Sequence, residues 1–83
     1  MIRIELEPEQ VLFMVAMFNE HAAIEAYGSL NEAPADYRAN VQGMYRVAIN
    51  SGLDPVQGGS DLAVTFGNAV NEAFDQLIMR RAT

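Results

Sequence analysis

The side chains best suited to chemistry in this 83-residue chain are few. His21 is the one histidine, and Glu25 follows four residues later, so the two share a helix face as metal-ligating pairs do. Two ligands are fewer than the four of a structural zinc site or the three of a catalytic one. The chain has no cysteine, which excludes thiol catalysis and disulfides. The sequence therefore predicts no metal ion, no cofactor and no enzymatic activity.

A Tyr-Arg pair that occurs twice is the second group with binding chemistry. The pairs are Tyr37-Arg38 and Tyr45-Arg46, and their spacing of eight residues is about two turns of a helix. Arginine and aromatic side chains together can clamp a phosphate or stack on a base. Tyrosines at the edge of the core and ordinary surface charges explain the same pattern more simply. If a ligand or a partner contacts the chain here, these four residues are the expected contact.

Charge and composition narrow the class of protein. Eleven acidic residues against five arginines and no lysine give a net charge of −6, which excludes a large basic surface for a nucleic-acid backbone. An apolar fraction of 51% is too high for a disordered tail. The longest apolar run, residues 11–18, is less than half a membrane span, and the N-terminus lacks the basic region of a signal peptide. We expect one acidic cytoplasmic domain without a membrane or nucleic-acid partner.

A short strand is predicted at the N-terminus, where apolar and charged residues alternate over residues 2–7. A single strand needs a partner for its backbone groups, and no second strand is evident in the sequence. Two alternatives are open. The segment either pairs with its own copy in another subunit, which we favour slightly, or packs on the helices as an extended arm.

Three helices are predicted to make up the rest of a mainly α, single-domain fold. Proline and glycine signals place them at about residues 8–27, 34–50 and 60–79. Gly58 and Gly59 are predicted to break the chain before the third helix. Ser60 then has a suitable side chain for its N-cap.

The first helix is apolar on two sides. Val11, Val15, Phe18, Ala22 and Ala26 line one side, and Phe13, Met17 and Ile24, flanked by Met14, line the other. The helix is either sandwiched between the other two or covered by a second subunit. A domain of this size buries only about two-thirds of its surface, which favours the oligomer. The predicted oligomer interface consists of Phe13, Met14, Met17, His21 and Ile24.

The third helix has a single apolar face, which an ordinary three-helix core would bury. At about 100° per residue, this face comprises Ala63, Phe66, Val70, Ala73, Phe74, Leu77 and Ile78. We therefore expect a three-helix core to bury this face.

The opening Ile2-Arg3-Ile4-Glu5-Leu6-Glu7-Pro8-Glu9-Gln10-Val11-Leu12 resembles the start of small phage and prophage accessory proteins, which begin with a brief strand, a turn and an apolar helix. This resemblance implies a small binder that inhibits or sequesters a host or defence component. The leading hypothesis is a non-enzymatic, acidic, oligomeric interaction protein, encoded by a phage, that inhibits a host protein. The alternative is an oligomeric sponge for a small anionic ligand such as a nucleotide signal. A small carboxylate-based enzyme is third.

Overall fold

Three α-helices and one short 3₁₀ helix make up the fold of residues 1–82. The computed structural model describes residues 1–82, and the side chains of residues 1–78. The elements in chain order are α1 (Pro8–Tyr27), the 3₁₀ helix (Leu30–Glu32), α2 (Ala35–Asn50) and α3 (Pro55–Ala82). The predicted mainly α, three-helix fold is confirmed, and α1 and α2 have the predicted bounds to within one residue.

Local signals fix both ends of α1. Pro8 occupies the first helical position, where its missing N–H has no cost. The backbone N–H of Glu7 donates to the side-chain oxygen of Gln10 over 2.8 Å, as in a capping box. Gly28 ends the helix with φ 92°, in the region that favours glycine, and its N–H donates to the Ile24 carbonyl oxygen. The boundaries of α1 therefore follow directly from the sequence.

The start of α3 lies five residues before its predicted position. Asp54 precedes the helix, and its carboxylate accepts hydrogen bonds from the backbone N–H groups of Val56, at 2.9 Å, and Gln57, at 3.2 Å. This is the bonding of an N-cap residue, and Pro55 follows in the first helical position. The two signals together begin the helix before the glycine pair.

The two glycines lie inside α3 and do not break it, so the predicted break at Gly58-Gly59 and the N-cap role of Ser60 are wrong. Gly58 is buried, and a Cβ atom there would lie only 2.8 Å from Cδ2 of Leu53. The missing side chain therefore allows the first turns of α3 to approach the segment after α2. Packing explains the residue type at this position better than flexibility does.

The N-terminal segment forms no strand within residues 1–82, because the described chain offers no second strand to pair with it. Leu6 packs against the core cluster. Met1 and Ile2 line a shallow cavity together with Ala73 and Leu77 of α3. This placement agrees with the extended-arm alternative. Pairing of residues 2–7 between subunits stays a prediction.

The core lies between α1, α2 and the first turns of α3. The buried side chains are Phe13, Ala16, Ala23, Ala33, Val41, Ala48, Leu53 and Leu62. Ala16 and Ala48 are fully buried, and such small residues let α1 and α2 approach closely. The Phe13 ring packs edge-on against Tyr45 at a centroid distance of 5.5 Å. Phe13 is therefore a core residue of the single chain, which corrects its assignment to a subunit interface.

The distal half of α3 extends past the core. At about 1.5 Å per residue, its 28 residues span about 42 Å, against about 30 Å for the 20 residues of α1. No residue among 67–78 is buried. The radius of gyration is 15.9 Å, whereas a compact domain of this length has about 12 Å. The expectation that a three-helix core buries the apolar face of α3 is wrong for this half, because α3 packs on the core only through its first turns, as far as Phe66, and is longer than α1 and α2.

Candidate functional site

The two tyrosines of the Tyr-Arg pairs join α2 to α1. The Tyr37 hydroxyl donates to the backbone carbonyl oxygen of Asn19 over 2.6 Å. The Tyr45 hydroxyl donates to Oε1 of Glu20 over 3.1 Å. Burial, and secondly the charge and hydrogen bond of Glu20, raise the pKa of Tyr45 to about 12. Both hydroxyls thus stabilise the α1–α2 contact.

The two arginines have different surroundings. The Arg38 guanidinium donates to the carbonyl oxygen of Asn31 over 2.9 Å, which ties α2 to the 3₁₀ helix. Arg46 is exposed and lines a shallow cleft with Leu12 and Met44. Three of the four predicted contact residues therefore make bonds within the chain. An anionic ligand would have to compete with those bonds.

His21 and Glu25 share a face of α1, as their spacing predicts. Nε2 of His21 lies 3.2 Å from Oε1 of Glu25, and both side chains are more than two-thirds exposed. Among the residues whose side chains are described, no three potential metal ligands lie together. The pair is a surface contact within one helix.

Four carboxylates surround a cleft of about 310 Å³ between the starts of α1 and α3. They belong to Glu7, Glu9, Asp54 and Asp61. Asp54 caps α3, as described above, and Asp61 accepts a hydrogen bond of 2.9 Å from the side-chain amide of Gln57. Acidic groups in the first turn favour the positive end of a helix. Capping of α3 is thus a sufficient physical reason for Asp54, whereas Asp61 lies in the second turn of α3 and bonds to Gln57 along the helix.

An apolar groove of about 420 Å³ lies between α1 and α3, and we call it the α1–α3 groove. Its lining consists of Met14, Met17, Phe18, Gly59, Leu62, Ala63 and Phe66. Phe18 forms one wall with 63% of its surface exposed. Of the predicted interface residues, only Met14 and Met17 line this groove. Ile24 and His21 are exposed elsewhere on α1.

The second apolar surface is on the distal half of α3, and we call it the α3 stripe. It consists of Val70, Phe74, Leu77 and Ile78, which are between 51% and 61% exposed. At about 100° per residue, Val70 and Leu77 point within about 40° of Phe66, so the stripe continues the groove-facing side of α3. Glu72 and Asp75 point to the opposite side. The groove and the stripe thus form one continuous uncharged surface.

The sequence pattern identified the residues of the stripe but placed them in the core. The signal that would have placed them outside is the Asp54-Pro55 helix start, which makes α3 much longer than α1 and α2. A long amphipathic helix beside two shorter ones must leave part of its apolar face uncovered.

Comparison of the chain with known protein families, with curated protein sequences and with solved structures finds no match. Within the described residues, none of the helices combines the length and the apolar character needed to cross a bilayer.

Proposed function

We propose that the chain is a non-enzymatic interaction protein that works as an oligomer, and that the α1–α3 groove and the α3 stripe are its contact surface. The observation that carries this proposal is the exposure of Val70, Phe74, Leu77 and Ile78 on one side of a single helix. Scattered apolar residues are normal on protein surfaces, but a continuous apolar patch marks an interaction site.

The distribution of charge supports the same proposal. The α3 stripe and the α3 side of the groove carry no charged residue, whereas Asp61, Glu72 and Asp75 lie on the other sides of the helix. Depletion of charge at the centre of a patch is typical of protein interfaces. The remaining acidic surface keeps the assembled protein soluble.

The experiment that tests the oligomer is a mass measurement by size-exclusion chromatography with light scattering. The wild-type chain should elute at a multiple of its 9.1 kDa mass at micromolar concentration. Phe74→Glu places a charge in the stripe and should reduce the mass to one chain. Asn68→Glu adds the same charge on the exposed opposite side of the same helix and should leave the mass unchanged.

Two results contradict this proposal. One is a wild-type chain that stays monomeric at the highest concentration tested. The other is an equal response of the two variants, since only one of them touches the apolar surface. Circular dichroism of both variants checks that the helices are retained.

The partner outside the oligomer is proposed to be a host or defence protein, inhibited by occupation of its surface. The proposal of a host or defence partner depends on the resemblance of residues 2–12 to the start of phage accessory proteins. The test is affinity capture from bacterial lysate with the wild-type chain and with Phe74→Glu as the control. One protein retained in a stoichiometric amount by the wild type supports the proposal, and retention of none contradicts it.

A further inference from the structure

We infer that a second copy of this chain occupies the α1–α3 groove, with the two α3 helices antiparallel about a two-fold axis near Val70. This inference rests on the proposed oligomer and specifies its contact. Each copy inserts its own α3 stripe into the groove of the other. The interface is therefore closed and contains two chains.

The spacing along α3 is the first observation that supports this arrangement. The groove residues Leu62 and Phe66 precede Val70 by eight and four residues, and the stripe residues Phe74 and Ile78 follow it by four and eight. At 1.5 Å per residue, both sets lie about 6–12 Å from Val70, in opposite directions. A two-fold axis at Val70 therefore places each stripe directly over the other copy's groove.

The chemistry of the two surfaces is also complementary. Gly59 and Ala63 form the floor of the groove on α3, and a Cβ atom at Gly59 would have no neighbour within 4 Å. Small residues at this place allow a second helix to approach to about 8–10 Å. The partner's Phe74 would then reach Met14 and Met17, and methionine sulfur packs well against aromatic rings.

The accessible surface of the single chain is larger than a compact monomer would have, and the difference is enough for a dimer interface. The chain exposes 6101 Å², whereas a folded monomer of 9.1 kDa exposes about 4,900 Å². The excess of roughly 1,200 Å² exceeds the ~800 Å² that each partner buries in a standard interface. The surplus is therefore large enough to supply one side of a standard interface between two copies.

Electrostatics favour the antiparallel over the parallel orientation. Nine of the eleven acidic residues precede Leu62, so most of the negative charge lies at the end of the molecule that holds the core. Parallel helices would bring the two acidic ends together, and like charges repel. Antiparallel helices separate them. If the two α3 helices were parallel, each stripe would also lie beside the other stripe and not over a groove, and both grooves would stay empty.

Cross-linking tests the orientation, because the chain has no cysteine and each introduced thiol is unique. Single-cysteine variants at Val70, Ala63 and Leu77 are treated with a short bismaleimide. Val70→Cys should cross-link with itself, since it lies on the axis. Ala63→Cys and Leu77→Cys should each fail alone, but should cross-link to one another after the two are mixed, unfolded and refolded together. Labelling one of them with ¹⁵N identifies the mixed product by mass spectrometry.

Asn68→Cys, on the opposite side of α3, measures the background and should give no cross-link. Self-cross-linking of Ala63→Cys and Leu77→Cys would show parallel helices and overturn the inference. A mass above two chains would overturn it as well, while leaving the proposed oligomer intact. A monomeric wild-type chain would overturn both proposals. The single substitutions lie outside the buried core, and circular dichroism confirms that each variant is folded.

Discussion

Substitution of Gly58 by alanine tests how α3 packs on the rest of the chain. An alanine Cβ would lie 2.8 Å from Cδ2 and 3.1 Å from Cγ of Leu53. Leu53 is 9% exposed and belongs to the same core cluster as Phe13, Ala48 and Leu62. Leu53 therefore cannot move away without losing contacts inside the core.

The expected free-energy change combines two opposing effects. Alanine in place of glycine inside a helix stabilises the fold by up to ~1 kcal/mol. Overpacking of a core costs about 1–3 kcal/mol. Gly43 is the matched control, because it lies inside α2, outside the α1–α3 groove, and only the end of the Arg46 side chain comes within 4.0 Å of its Cβ position. Gly43→Ala should therefore gain stability, and Gly58→Ala should be less stable than Gly43→Ala by about 1–3 kcal/mol.

Urea unfolding followed by circular dichroism measures this difference. Both variants are compared at one protein concentration, since association adds to apparent stability. Mass measurements on both variants check that the association state is the same. Equal stability of the two variants, or greater stability of Gly58→Ala, would refute the role of Gly58 as a close-packing position.

Three further comparisons follow from the structure. Asp54→Ala should lower the free energy of unfolding by about 1 kcal/mol, because it removes the α3 cap. Ser60→Ala, inside the helix, should change the free energy of unfolding by less than ~0.5 kcal/mol. Equal losses of the two variants in urea unfolding would contradict the observed helix start. Burial and a neighbouring carboxylate raise the pKa of Tyr45 from 10.0 to about 12, so the folded state keeps the phenol proton longer than the unfolded state and stability should fall as pH rises through this interval. Tyr45→Phe should lessen that fall, and an unchanged pH profile would show that another group causes it. Phe13→Ala should lower the free energy of unfolding by about 3–5 kcal/mol. Phe18→Ala should leave the stability of the monomer nearly unchanged and reduce the mass of the protein in solution. A larger loss of stability for Phe18→Ala than for Phe13→Ala would contradict the assignment of the core side of α1.

The helix boundaries that the sequence predicts correctly have strong local signals. Pro8 and Gly28 delimit α1, and neither depends on tertiary contacts. The start of α3 shows the opposite case. Two adjacent glycines disfavour a helix by about 2 kcal/mol in isolation, which led to a predicted break. The Asp54 cap and the packing of Leu53 against Gly58 outweigh that intrinsic preference.

The prediction places Phe13 in a subunit interface, but the structure buries Phe13 in the core and exposes Phe18, which lies on the other apolar side of α1. In a helix that is apolar on two sides, periodicity identifies both sides but does not tell which one faces the neighbouring helix. The neighbouring helix determines which side is buried, and here Tyr45 of α2 packs against Phe13.

The projecting half of α3 also has a dynamic consequence. Met1 and Ile2 border this half of α3 across a shallow cavity, but the core does not cover it. A helix with so little tertiary support is only marginally stable in water, so in a dilute single chain the segment after Gly67 should open locally. Docking onto a second chain would supply the missing support, which couples the order of this segment to the concentration of the protein. Amide hydrogens at positions 70–78 should then exchange rapidly in dilute samples and slowly in concentrated ones. Proteolysis at low protein concentration should remove this end of the helix first.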